Sequence, residues 1–68
     1  MGSKEELGKK IKKERKKAKL TQVQVAEKAG IHVNYYARVE RGEVNASIEI
    51  VENIAKALKV KSSDILPF

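Results

Sequence analysis

Sixty-eight residues make one small domain, since a chain this short buries only roughly 60% of the surface its unfolded form exposes; a second domain or a large substrate cavity is excluded. Fifteen Lys and Arg against nine Asp and Glu leave a formal charge of +6, which favours a polyanionic partner, nucleic acid ahead of an anionic membrane surface. With no cysteine there is no disulfide, thiolate metal site or cysteine nucleophile, so the fold must rest on its apolar core in a reducing cytoplasm.

Met1, Gly2 and Ser3 carry no core pattern and are set outside the domain, which is read as residues 4–68. Leu7, Ile11 and Ala18, joined by the aliphatic stem of Arg15, form one narrow apolar stripe in a Lys-dominated segment and predict a first helix over about 4–18. Nine basic and three acidic side chains lie in 1–19 and six of each in 20–68, so the entire surplus belongs to the segment around this helix. A solvated helix face is the plain reading of the run from 9 to 19; a field that attracts a polyanion is the functional one.

Thr21 offers an N-cap oxygen with Gln24 at capping-box spacing, predicting a second helix over about 22–29 that Gly30 closes. A periodic stretch with Tyr36 and Val39 on one face ends at Gly42, giving a short third helix over about 33–41. Ser47 caps a fourth, amphipathic helix with Ile48, Val51, Ile54, Ala55 and Leu58 at helical spacing. Ser62 or Ser63 caps a last turn through Ile65 and Leu66 before Pro67. Nothing reads as a strand, no apolar run approaches the roughly 20 residues a membrane-spanning helix needs, and no secretory h-region follows the first lysines. The expectation is an all-α chain, cytoplasmic, neither inserted nor secreted.

The stretch 22–41 joins two short helices through three or four residues that include a glycine, the spacing of a helix-turn-helix. Ala26 is small where the second helix must cross closely, Gly30 supplies the tight turn, and Val25, Ile31, Tyr36 and Val39 can fill the wedge between the two.

The segments LGKKIKKERKKAKLTQVQVAEKAGI, YARVERG, NAS and IVENIAKAL resemble the Cro/CI-type helix-turn-helix family of XRE-like transcriptional regulators over about residues 7–66. Leu7, Ile11, Arg15, Leu20, Thr21, Gln22, Ala26, Gly30, Val39, Glu40 and Gly42 fit its pattern in register. Within the family, GIHVNYY and VERGEVNAS look most like controller proteins of restriction-modification systems. The resemblance implies a compact five-helix, lambda-repressor-like DNA-binding domain whose second motif helix enters the major groove.

By the same resemblance, base-reading positions fall on Val33, Asn34, Ala37 and Arg38, with His32 at the helix start. The side chains suit that work. Arg38 can donate bidentately to guanine O6 and N7, Asn34 can pair with adenine N6 and N7, and Val33 and Ala37 can pack on a thymine methyl. Phosphate positioning falls on Gln22, Tyr35, Arg41 and Asn45, and a buried ion pair between helices 1 and 3 on Arg15 and Glu40. The chain departs from the pattern where Val33 replaces a long polar side chain, where Glu43 and Val44 occupy a loop that is often basic, and where Ala46 replaces a common proline. Tyr36, at a usually aliphatic position, carries a hydroxyl that needs a partner.

Plainer roles stand beside these. Asn34 and Arg38 suit an ordinary solvated face, Val33 an exposed apolar residue without a role and Ala37 helix propensity. His32 suits a helix cap, Gln22 a helix-start residue, Tyr35 packing on the loop, and Arg41 and Asn45 helix-end and turn chemistry.

The expected function is sequence-specific double-stranded DNA binding in transcription regulation. A homodimer is expected on a palindromic or pseudo-palindromic operator, with half-sites about 34 Å apart. Helix 4 with Ile65, Leu66 and Phe68 supplies the dimer surface, because its apolar area exceeds what the core requires. The alternative is a protein-interaction or coactivator module that shares the fold without reading bases. An enzyme is disfavoured by a single histidine and the lack of any phosphate loop or dinucleotide fingerprint. No catalytic residue, cofactor, metal or small-molecule ligand is expected. Three aromatics are too few for a single-strand stacking platform, and helix 1 has too narrow an apolar face to insert into a membrane surface.

Overall fold

A computed structural model describes residues 2–67 and places five helices in chain order: α1 Ser3–Lys17, α2 Gln22–Ala29, α3 Val33–Glu40, α4 Ile48–Leu58 and α5 Ser62–Ile65. No strand occurs among the described residues. The first helix starts earlier than its apolar stripe suggests, because Gly2 takes the extended cap position and Ser3 begins the helix. It also ends earlier: Ala18, expected on the buried stripe, lies exposed just past the last turn.

Local chemistry sets the other starts. Thr21 Oγ1 accepts from the Gln24 N–H at 3.1 Å and Gln24 Oε1 from the Thr21 N–H at 2.8 Å, closing the capping box of α2. Ser47 Oγ accepts from the Ile50 N–H at 3.2 Å. At α5 the cap position is Lys61 and not a serine; the Asp64 carboxylate accepts from the Lys61 N–H at 2.9 Å, and Ser62 and Ser63 lie inside the helix they were expected to cap.

Four helices end on a left-handed residue at which the chain turns back. Gly30 and Gly42 each have φ +73°, Lys19 has φ 58° and Lys59 φ 59°. Around them the N–H groups of Leu20, Ile31, Glu43 and Val60 reach carbonyls five residues back at 3.0–3.2 Å, the Schellman arrangement.

Leu7 and Ile11 of α1, Val25, Ala26 and Ala29 of α2, Tyr36 and Val39 of α3, five residues of α4 and Ile65 close into one core. The α2–α4 and α1–α3 packings dominate, so the two motif helices are braced from opposite sides. Ile65 is fully buried beneath α1 and α4, which removes it from the expected dimer surface: the side chain is already spent on the monomer core. Leu66 is half-buried at that core's edge, and Phe68 lies outside the described residues.

Candidate nucleic-acid interface

Burial of Tyr36, Val39 and Glu40 fixes the roll of α3. At 100° per residue the opposite, outward line runs through Asn34, Arg38 and Arg41, with Val33 and Ala37 on one shoulder and Tyr35 on the other. Asn34, Arg38 and Arg41 are exposed; Val33, Tyr35 and Ala37 are half-buried, and Val33 and Tyr35 pack against the core's edge. Arg41 sits just past the last turn of the helix that was expected to include it.

His32 caps α3. Its Nδ1 accepts from the Asn34 N–H at 3.0 Å, which leaves Nε2 as the ring donor facing outward. The Asn34 amide, both Nη groups of Arg38 and the Tyr35 hydroxyl make no hydrogen bond among the described residues, so these polar groups of α3 are open to a ligand.

What holds α3 in place is a buried polar cluster built around the expected Arg15–Glu40 pair. The Glu40 side chain is 2% exposed and that of Arg15 13%. Arg15 Nε donates to Glu40 Oε2 at 2.6 Å and Nη2 to Oε1 at 3.2 Å, while Nη1 donates to the Leu20 carbonyl at 3.0 Å. Gln22 Nε2 donates to Glu40 Oε1 at 3.1 Å, and the Tyr36 hydroxyl donates to Oε2. One carboxylate thus ties α1, α2 and α3 together. The tyrosine hydroxyl that seemed out of place has its partner one helical turn on, a spacing of four that was readable in the sequence.

Burial alone would raise the Glu40 pKa, but hydrogen bonds from Arg15, Tyr36 and Gln22 with the Arg15 charge outweigh it and hold the carboxyl below its ordinary range. Burial first, then the bond to Glu40, pushes the Tyr36 phenol well up. The bond to Glu40 also raises Arg15, so the pair stays charged at neutral pH.

Gln22 therefore gives one of its two amide hydrogens to Glu40, and only the second is left for a phosphate. At the start of α2 the Gln22 and Val23 N–H groups have no intrahelical acceptor and add donors of their own. Asn45 is exposed in the segment before α4, beyond the C-terminal end of α3.

A second feature was not foreseen in the sequence. Glu43, just past Gly42, reaches both arginines of this face: Arg41 Nε at 2.6 Å and Arg38 Nε at 3.5 Å. The hydrogen bond from Arg41 lowers the Glu43 pKa, and the bond to Glu43 raises that of Arg41. Arg38 and Glu43 are five residues apart, and only the reversal at Gly42 brings them together.

A fixed pair of helices bearing a short outward line of polar groups is the geometry of a helix-turn-helix, and the sequence matches that family over residues 11–65. The chain belongs to the helix-turn-helix family. It is 45% identical over 60 residues, 88% of its length, to an immunity repressor protein of Bacillus phage phi105, and 36% identical over 52 residues, 76% of its length, to the control protein C.BamHI of Bacillus amyloliquefaciens. It spans 42% of the first and 64% of the second. In structure it is similar to the restriction-modification controller protein C.AhdI from Aeromonas hydrophila, with a TM-score of 0.90, 25% identity, and coverage of 93% of this chain and 96% of that one. The five-helix, all-α architecture is thus that of helix-turn-helix controller proteins.

Proposed function

We propose that this helix-turn-helix chain is a sequence-specific double-stranded DNA-binding transcription regulator that lays α3 in the major groove. The observation that carries the reading is the outward line Asn34, Arg38, Arg41, held at a fixed roll by a carboxylate that α1, α2 and α3 share. Arg38 reads a guanine and Asn34 an adenine, with Val33 and Ala37 against a thymine methyl and His32 Nε2 donating at the helix start. Gln22, the first N–H groups of α2, Tyr35, Arg41 and Asn45 seat the backbone. The surplus charge of residues 1–19 adds a sequence-independent pull that salt weakens. Repressor and control-protein relatives support this role, in the compartment that holds the DNA.

One recognition helix covers few base pairs, so we propose a homodimer on a two-fold operator. With Ile65 buried, its surface shifts to Ile48, which is 58% exposed, and Leu66. Both border an apolar recess of about 110 Å³ with Leu7, Ala46, Val51 and Pro67.

The test is selection of random duplexes by the purified protein at two salt concentrations. A recovered half-site with a guanine and an adenine in adjacent reach, repeated by symmetry, supports the reading; recovery without any sequence preference overturns it. The pairing of both arginines with Glu43 favours one second reading, a module that binds protein through this face. Retention of DNA binding on selection, with loss as salt rises, counts against that module.

A further inference from the structure

Arg38 and Arg41 are the two cations of the proposed reading face, and a single carboxylate pairs with both, leaving the trio with one net positive charge. Backbone geometry sets where Glu43 stands. Gly42 at φ +73° turns the chain, the Glu43 N–H returns to the Arg38 carbonyl at 3.0 Å, and the residue is thereby set over the last turn of α3. The two arginines are held differently. Arg41 is held along one whole edge, Nε to Oε2 at 2.6 Å and Nη2 to Oε1 at 3.5 Å. Arg38 meets the carboxylate only through Nε, at 3.5 Å.

A guanidinium has two edges that offer parallel N–H groups, Nε with one Nη, and Nη1 with Nη2. Glu43 occupies the first edge of Arg41 and stands against the first edge of Arg38. The Nη1–Nη2 edge of Arg38, which suits guanine O6 and N7, stays open. A phosphate, unlike a guanine, carries charge: at Arg41 it must either displace the carboxylate from the Nε–Nη2 edge or take the Nη1–Nη2 edge with a like charge close by.

We infer that Glu43 is a specificity-determining latch, which withholds Arg41 and the side edge of Arg38 from arbitrary phosphates and leaves the end of Arg38 free to read guanine. The inference rests on the DNA-reading function proposed above. It places discrimination partly in a repulsive element and makes the acidic loop, a weakness for raw affinity, the source of a larger specific-to-nonspecific ratio.

The experiment compares wild type, Glu43→Gln and Glu43→Gln/Arg41→Ala on three duplexes across a salt series: the selected operator, the same operator with the Arg38 guanine replaced, and a scrambled duplex. Arginine Nε–H signals are followed by NMR in the free proteins. Expected for Glu43→Gln are loss of the shifted Arg41 Nε–H signal, roughly tenfold tighter binding to the scrambled duplex, a log–log salt slope steeper by about 0.9 for one added phosphate contact, and a gain of under about threefold on the operator. The gain on the scrambled duplex should disappear in the double variant. Equal gains on all three duplexes, or an unchanged Nε–H signal, would overturn the latch while leaving DNA reading intact. A wild type that binds all three duplexes alike overturns both.

Discussion

A Cβ on Gly8 would stand 2.4 Å from the carbonyl oxygen of Glu40 and 2.6 Å from that of Val39. The first helix therefore lies directly on the last turn of the third, backbone on backbone, with no side chain able to rotate away. Gly8→Ala should destabilise the domain by about 3 kcal/mol, because overpacking outweighs the gain of about 1 kcal/mol that alanine brings to a helix interior. Urea unfolding checks this; an unchanged or higher midpoint would remove the close approach as a determinant of the fold.

The carboxylate shared by Arg15, Gln22 and Tyr36 makes stability depend on acid. Its pKa is lower folded than the ordinary value of 4.5. The stabilisation is thus fully present above the unfolded value and is lost as pH falls through the folded one. Thermal melts of wild type should hold level near neutrality and fall below about pH 4.5, whereas Glu40→Gln should lose much of that dependence. Glu40→Ala at neutral pH should cost about 3–5 kcal/mol, since the Arg15 guanidinium is left buried without its counter-charge. Tyr36→Phe should cost about 1.5–3 kcal/mol, the loss of one hydrogen bond to a charged group.

Lysine occupies two left-handed positions, Lys19 at φ 58° and Lys59 at φ 59°, where the ends of α2 and α3 use glycine. A side chain there costs roughly 1 kcal/mol. Lys59→Gly should raise stability by about 0.5–1 kcal/mol, offset in part by the greater freedom of glycine in the unfolded chain. A fall in the unfolding midpoint would mean that the lysine stem contributes packing worth more than the strain.

The dimer surface is tested at its exposed residues. Ile48→Asp and Leu66→Asp should each shift the protein towards monomer in sedimentation equilibrium with the fold intact by circular dichroism. Ile65→Asp should unfold it, because that side chain is fully buried. A wild type that stays monomeric at tens of micromolar, and fills each half-site independently, would overturn the dimer.

Periodicity and caps were enough to mark α2, α3 and α4, since Thr21, Gly30 and Ser47 are short-range signals whose chemistry is spent within one turn. The line of Asn34 and Arg38 followed from the same spacing. What could not be seen was long-range. Ile65 looked spare because the chain does not announce that the last turn folds under α1 and α4. Gly8 reads as an ordinary helix glycine until α3 is laid across it. Glu43 looks like a mere weakening of a basic loop until the reversal at Gly42 sets it against two arginines. In each case the missing information is a contact between elements, which local propensity does not encode.

Arg38 and Arg41 differ in what they leave open, and so should their alanine variants. Arg38 has its outer edge free, and Arg38→Ala should cost about 1–3 kcal/mol on the operator, relax preference at one base position, and leave scrambled duplex little changed. Arg41, held along a full edge by Glu43, has the part of a backbone contact. Arg41→Ala should weaken every single-base variant of the operator by one factor and flatten the salt slope there by about 0.9, while scrambled duplex, from which Glu43 withholds Arg41, changes little. Binding measured on single-base variants of the selected half-site separates the two patterns. If Arg38→Ala lowers affinity by one factor across every variant, the guanidinium contacts phosphate and the reading of bases rests on Asn34 with its neighbours Val33 and Ala37.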